Sequence, residues 1–190
     1  MDERRFNPDN KELLDTPERR KLLPPEKLLG LLPFKNNDEV LDLGAGTGYF
    51  SIPASKLTNG SVYALDIDTG LLEVIHSHIK EQGISNIQLL EGKVQNLPLS
   101  DSTIDIVIAS LVLHAVDPLS EGMSEIKRVM KTGAYLLCFD WEKIESRLGP
   151  PLDIRIPSSE MEKSLADGGF KIIKKVFPVD FLYIFVAQKA

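Results

Sequence analysis

The chain has 190 residues, enough for one domain with at most a short extension. Its composition, 43% hydrophobic and 26% charged, is that of a globular protein and excludes a disordered or fibrous one. The 28 acids against 22 Lys and Arg leave a net charge of −6, which argues against a dedicated nucleic-acid or membrane-surface binder, and a single cysteine, Cys138, excludes an internal disulfide and argues against a cysteine-held zinc.

The first residues, Met1-Asp2-Glu3-Arg4-Arg5, are charged and no apolar run follows, unlike a secretory leader. Residues 1–37 carry Pro8, Pro17, Pro24, Pro25 and Pro33 between clusters of charge. They are expected to form broken helices, a lid packed on a main domain of residues 38–190. Thr16-Pro17-Glu18 is a helix start: a capping hydroxyl, a proline at the first helical position and an acid in the first turn. Arg19-Arg20-Lys21 reads as a solvated face of that helix. Leu23 precedes a proline and leans away from the helical region, and Pro25–Leu32 reads as a second short helix.

From Asp38 the chain alternates between apolar strands and amphipathic helices. Strands are expected at Val40–Leu43, Ser61–Asp66, Ile87–Glu91, Ile104–Ala109, Ala134–Phe139, Lys171–Val176 and Phe181–Ala187. Ile104–Ala109 is β-branched with little alternation, as in a strand covered on both faces. Helices are expected at Tyr49–Leu57, Leu71–Gln82 with Asp68 as its cap, and Ser158–Ala166 ending at a glycine pair. Met123, Ile126, Val129 and Met130 lay one apolar stripe along another. Only Phe177–Asp180 separate the last two strands, too few for a parallel crossover, so they form an antiparallel hairpin. The expected fold is α/β: a doubly wound, mostly parallel seven-stranded sheet with a C-terminal antiparallel hairpin. The most apolar stretch, Ile104–Val116, is interrupted by Asp105, Ser110 and His114 and is too short to span a bilayer, so a soluble cytoplasmic protein is expected.

The informative feature is Asp42-Leu43-Gly44-Ala45-Gly46-Thr47-Gly48. Glycines after a strand let the backbone turn sharply and approach a ligand, and the helix that follows offers free N–H groups. Asp66 ends the second strand 22 residues after Gly44, close to the offset of about 20 at which a carboxylate reaches ribose hydroxyls. Together these point to a nucleoside-containing cofactor. A dinucleotide site wants G-x-G-x-x-G, and Tyr49 stands where its third glycine belongs.

The pattern Asp-x-Gly-x-Gly-x-Gly instead resembles motif I of the class I S-adenosylmethionine-dependent methyltransferases, whose Rossmann-like fold also ends in an antiparallel hairpin. The likeness continues through Ala64-Leu65-Asp66-Ile67-Asp68, Glu91–Pro98, Ile104–Val107, Leu113–Val116 and Ile126–Gly133, and is nearest to the type 11 branch, which includes ubiquinone and menaquinone C-methyltransferases. The resemblance implies S-adenosylmethionine as cofactor, with Asp42 at its amino end or only fixing the turn, Gly44, Ala45, Gly46 and Gly48 along its methionine and ribose, Asp66 and Ile67 at the ribose, Lys93 and Val94 in the adenine loop, and Ala109 as a further cofactor-binding residue. Gly92-Lys93-Val94 departs from the usual Gly-Asp-Ala of that branch. A lysine cannot accept from the adenine amino group, which leaves the Val94 N–H as the group for the ring.

His114 follows the fourth strand at the edge where ligands bind, and is a candidate general base, with a structural role as the plainer reading. Trp141 and Arg155 are candidate walls of the acceptor pocket, against packing and a surface ion pair respectively. His76 and His78 read as surface residues, Cys138 as a small buried hydrophobe, and no metal ligand set is present. The expected partner is a small organic methyl acceptor rather than nucleic acid, since the Asn/Asp-Pro-Pro-aromatic signature is missing: the residues after strand four read Ser110-Leu111. The oligomeric state is open. Rival functions are a nicotinamide-dependent oxidoreductase and a non-catalytic cofactor-binding module.

Overall fold

A computed structural model describes residues 7–190; the first six residues of the 1–37 segment lie outside the described residues. Seven strands form one sheet: β1 (Val40–Leu43), β2 (Val62–Asp66), β3 (Ile87–Glu91), β4 (Ile104–Ser110), β5 (Met130–Trp141), β6 (Phe170–Val179) and β7 (Leu182–Lys189). The order is β3-β2-β1-β4-β5-β7-β6. Neighbours from β3 to β5 are parallel, and β7 lies antiparallel between β5 and β6. This is the doubly wound sheet with its terminal hairpin. Chain order reverses at β1, between β2 and β4, and in open α/β sheets ligands bind in the crevice at such a reversal.

Residues of β4 are buried on both faces, and their alternation divides the core in two. Leu41, Leu43, Val107, Ala109, Leu136 and Cys138 face one side, with Met123 and Ile126 of α5 (Leu119–Val129) and Met161 and Leu165 of α6 (Ser158–Asp167). Val40, Ile106, Ile108, Leu137 and Phe139 face the other, with Leu23, Leu28, Leu29 and Phe50. Each such Leu or Ile contributes roughly 1.5–3 kcal/mol by burial. Leu28 and Leu29 lie on a short helix, α2 (Pro25–Leu29), so this part of the N-terminal segment belongs to the core. Residues ahead of it form a 3₁₀ stretch, Pro8–Asp15, and α1 (Pro17–Leu22).

The capping residues act as expected. The Arg19 N–H donates to Thr16 Oγ1 at 3.1 Å. The Leu71 N–H donates to Asp68 Oδ1 at 3.0 Å, opening α4 (Thr69–Gln82), which stops at Gly83 in the left-handed conformation, φ 64°. Strand and helix ends shift by one to three residues at several elements, and three differences shorten a helix or change the element. The helix expected over Tyr49–Leu57 is only α3 (Ser51–Ala54), because Pro53 brings no N–H to the ladder and Thr58 Oγ1 donates back to the Asp38 carbonyl at 2.8 Å. The second N-terminal helix stops at Leu29, short of Leu32, and Gly30 caps it. Met130 opens β5 opposite Ile104 rather than continuing the helical stripe, and remains buried. No helix among the described residues is long and apolar enough to cross a membrane.

Candidate active site

The turn after β1 is built by backbone bonds. The Ala45 N–H donates to the Leu65 carbonyl and the Gly48 N–H to the Ala45 carbonyl, both at 2.9 Å. Gly44, Gly46 and Gly48 have φ of 63°, 57° and 86°, a region that side-chain-bearing residues rarely adopt. A Cβ on Gly44 would come within 2.6 Å of Val112 Cγ2, so the turn is closed to any larger residue.

Asp66 stands where β2 meets this turn. Its Oδ2 accepts from the Gly46 N–H at 2.8 Å and its Oδ1 from the Asp68 N–H at 3.0 Å. Burial pushes the carboxyl above the ordinary range, and those backbone N–H groups hold it down in part. A carboxylate oxygen accepts more than one bond, so the group keeps acceptor capacity for a ligand. Ile67, next in the chain, leaves 37% of its surface exposed as an apolar shelf. Asp42, on β1, is almost wholly buried, and Ser51 Oγ donates to its Oδ2 at 2.5 Å. Burial pushes its pKa up to about 7, against the Ser51 hydrogen bond, with Asp66 adding to the rise.

Val94 is buried in the loop after β3 and Lys93 is exposed. That loop is tied down by a residue the sequence did not single out. Arg128 of α5 donates to the Leu97 carbonyl (3.0 Å) and the Leu99 carbonyl (2.8 Å) and pairs with Glu125 (2.7 Å). Ala109 lies in β4 level with Leu43 of β1, under the same edge.

Beyond β4, Leu111 has φ 53°, a strained conformation for a leucine, and it carries the chain into a 3₁₀ turn, Leu113–Ala115. His114 in this turn is buried beside Asp140 at the end of β5. His114 Nδ1 and Asp140 Oδ1 are 2.7 Å apart, and the His114 N–H donates to Asp140 Oδ2 at 3.0 Å. The Trp141 N–H donates to Asp140 Oδ1 at 2.8 Å. With Nδ1 engaged by the carboxylate, Nε2 is the ring nitrogen that Asp140 does not hold.

Two candidates from the sequence are engaged by other parts of the protein. Arg155 is buried; its Nε donates to the Pro150 carbonyl (2.9 Å), its Nη1 to the Ile144 carbonyl and its Nη2 to the Leu148 carbonyl (2.8 Å each). It is a clasp for residues 144–155 rather than an open cation, because its guanidinium donors are spent on loop carbonyls and on Ser146 Oγ. Trp141 stacks on Phe181, with ring centres 6.1 Å apart, and Arg155 lies 5.7 Å from its ring.

Two surface readings need correction. Arg19 is not on a solvated face: its guanidinium lies 4.6 Å from the centre of the Tyr49 ring and its Nε is buried without a partner. The cause is Tyr49, whose Oη donates to the Leu23 carbonyl at 2.8 Å and so draws α1 onto the turn. His78 is part-buried, its Nδ1 enclosed, beside a polar cleft it shares with Thr47 and Tyr49.

The donor and acceptor set at the β1–β2–β4 edge fits a nucleoside that carries an amino acid. It has a carboxylate at the end of β2, an apolar shelf, a second buried acid, and two hydroxyls, Thr47 Oγ1 and Ser110 Oγ, that are buried with no partner. Among the described residues no group of three His, Cys, Asp or Glu side chains is gathered as a metal site.

Residues 41–138 match the model of a family described as methyltransferase domain. The malonyl-[acyl-carrier protein] O-methyltransferase of Pectobacterium atrosepticum is 34% identical over 111 residues, 58% of this chain and 42% of that protein. The ubiquinone/menaquinone biosynthesis C-methyltransferase UbiE of Haemophilus ducreyi is 32% identical over 112 residues, 57% of this chain and 43% of that protein. The chain thus spans less than half the length of these two relatives. A crystal structure of a SAM dependent methyltransferase from Aquifex aeolicus superposes with a TM-score of 0.90 at 29% identity, over 98% of this chain and 100% of that one.

Proposed function

The chain belongs to the class I, type 11 methyltransferase domain family, and from that premise we propose that it binds S-adenosylmethionine at the glycine turn and transfers the methyl group to a small organic acceptor. The observation that carries this reading is the turn itself, three glycines at positive φ between Asp42 and a carboxylate, Asp66, that ends β2. The bound sulfonium supplies an already activated methyl group with a neutral leaving group. The protein's work is then to align the acceptor and exclude water. Asp66 orients the ribose, Ile67 and Val94 flank the base, and residues 144–155, clasped by Arg155, border the acceptor side. His114 is placed to take a proton from an O–H or C–H acceptor through Nε2, with Asp140 holding the ring in the tautomer that leaves Nε2 an acceptor. The O- and C-methyltransferase names of the two relatives agree with acceptors of that kind. A cytoplasmic setting and the absence of a nucleic-acid partner belong to the same reading.

Calorimetry tests the cofactor. S-adenosylhomocysteine should bind and NAD should not; NAD binding without adenosylhomocysteine binding would falsify the proposal in favour of an oxidoreductase. Transfer of labelled methyl to quinol and acyl-thioester acceptors then separates an enzyme from a binding module.

A pH experiment follows from Asp42. Its ordinary pKa is 3.8 and burial raises it to about 7. Between those values the folded state binds the extra proton, so this group's contribution to stability is full below 3.8 and is lost as pH rises through 7. An ammonium beside it favours the ionised form, so adenosylhomocysteine should bind more tightly from pH 6 to pH 8, by up to about tenfold per unit below the pKa. Asp42→Asn should flatten that dependence, weaken binding, and raise the melting temperature of the free protein at pH 8. A variant that binds as the wild type does at every pH would remove Asp42 from the site.

A further inference from the structure

We propose that Arg128 and Glu125 of α5 are positioning residues for the cofactor's base: without touching the ligand, they hold the loop after β3 in the shape that receives it. This rests on the cofactor reading above. The loop leaves the sheet where the Gly92 N–H donates to the Asp66 carbonyl at 3.1 Å. It returns where the Ser102 N–H donates to the Arg128 carbonyl at 2.9 Å and the Thr103 N–H to the Val129 carbonyl at 2.8 Å. Between those anchors there is no named strand or helix, so the shape of the loop is set by what it is tied to. Among the described residues, the main-chain bonds from residues 93–99 to other elements run to these two side chains. The Leu97 N–H donates to Glu125 Oε2 at 2.9 Å, and Arg128 donates to the carbonyls of Leu97 and Leu99.

A plain surface pair three residues apart on a helix would engage Arg128 with Glu125 alone. Here Nε and Nη2 hold the two oxygens of Glu125, at 2.7 and 2.8 Å. The other donors of Nη1 and Nη2 go to Leu97, Leu99 and Asp101, so every N–H of the guanidinium has an acceptor. Only the planar fork of an arginine can meet this set, since a lysine presents its donors from one point. The Arg128 hydrogen bond holds the Glu125 carboxyl below the usual carboxylate range, so the network stays charged at neutral pH. Gly122 lies on the same side of α5 and brings the helix against the loop. A Cβ there would stand 3.3 Å from Val94 Cγ1 and 2.6 Å from Val116 Cγ1. Val94 and Leu97 are both buried in this contact region. Val94, which flanks the base in the cofactor reading, is therefore placed by α5. A loop held in place before the ligand arrives loses little freedom on binding, and the gain falls on the part of the ligand that the loop meets.

The test compares S-adenosylhomocysteine with S-ribosylhomocysteine, which keeps the ribose and the amino acid and lacks the base, by competition calorimetry so that weak binding is measured. Wild-type protein should prefer adenosylhomocysteine by about a hundredfold or more. In Arg128→Gln that preference should fall by about tenfold or more, with ribosylhomocysteine affinity held within about twofold. Arg128→Lys should give an intermediate preference, and as the milder change it carries the test if the glutamine variant does not fold. Melting temperatures verify folding. Hydrogen exchange supplies a second readout: the Leu97 amide of the ligand-free protein should exchange faster in the variants, while amides of β4 keep the wild-type rate. A folded Arg128 variant with the wild-type preference overturns the proposal. Equal weakening of both ligands makes Arg128 a general packing residue and overturns it too, as does a wild type that does not distinguish the two ligands. A wild type that binds neither overturns the cofactor reading itself, and this proposal with it.

Discussion

Asp140→Ala is expected to cost about 3–5 kcal/mol of stability, because three donors that meet one wholly buried carboxylate are left without an acceptor and each costs about 1–3 kcal/mol, less what water recovers. In a domain of this size a kilocalorie moves the melting temperature by roughly 2–4 °C, so a fall of about 6–20 °C should be seen by calorimetry. Asp140→Asn separates the structural from the catalytic part. Its amide oxygen still accepts from a backbone N–H, so the fold survives with a smaller loss. Its NH₂ group, turned to His114 Nδ1, reverses the tautomer and makes Nε2 a donor, which is useless as a base. On an acceptor that must lose a proton, turnover of Asp140→Asn should fall about 10²–10⁴-fold while adenosylhomocysteine affinity stays within about twofold. A folded Asp140→Asn protein that turns over at the wild-type rate leaves the pair a structural one.

Asp66→Asn should weaken adenosylhomocysteine by roughly tenfold to a hundredfold, the loss of about 1.5–3 kcal/mol expected for charge-assisted bonds to hydroxyls. Asparagine is the informative replacement. The Asp66 carboxylate also accepts from the Gly46 and Asp68 N–H groups, so alanine would loosen the turn as well as remove the proposed ribose contact. Asparagine keeps one acceptor and the side-chain volume and removes a buried charge, but its NH₂ faces one of the two backbone N–H groups, so the melting temperature should fall less than in the alanine variant. Unchanged affinity in that variant would mean that the ribose is held elsewhere.

Much of the fold was legible in local patterns. Val40–Leu43 and Ile104–Ser110 lie where their apolar runs put them, because a buried strand in a parallel sheet declares itself by near-continuous hydrophobicity. The hairpin followed from a gap too short for any other connection. The glycine turn and Asp66 were legible because both are matters of spacing along one βαβ unit, whose geometry is set by neighbours in sequence. Errors fell where a local signal was overridden. The 49–57 segment has helical periodicity, but Pro53 and the tie from Thr58 to the Asp38 carbonyl cut it to one turn.

What the amino-acid order determined by itself was the class of sheet, the position of the glycine turn and the acid beside it, since each depends on residues within one strand–turn–helix unit. Tertiary structure alone decided the rest of the site. His114 and Asp140 are 26 residues apart and meet only because β4 and β5 are adjacent and in register from Ile106–Tyr135 to Ser110–Phe139. Arg19 passes for a surface charge until Tyr49 draws α1 over the turn, and Arg155 for a free cation until its loop wraps it in carbonyls. Sequence names the type of a charged side chain, but its partners and its solvation are set by elements far along the chain, and those two quantities decide whether it is solvated, structural or part of a site.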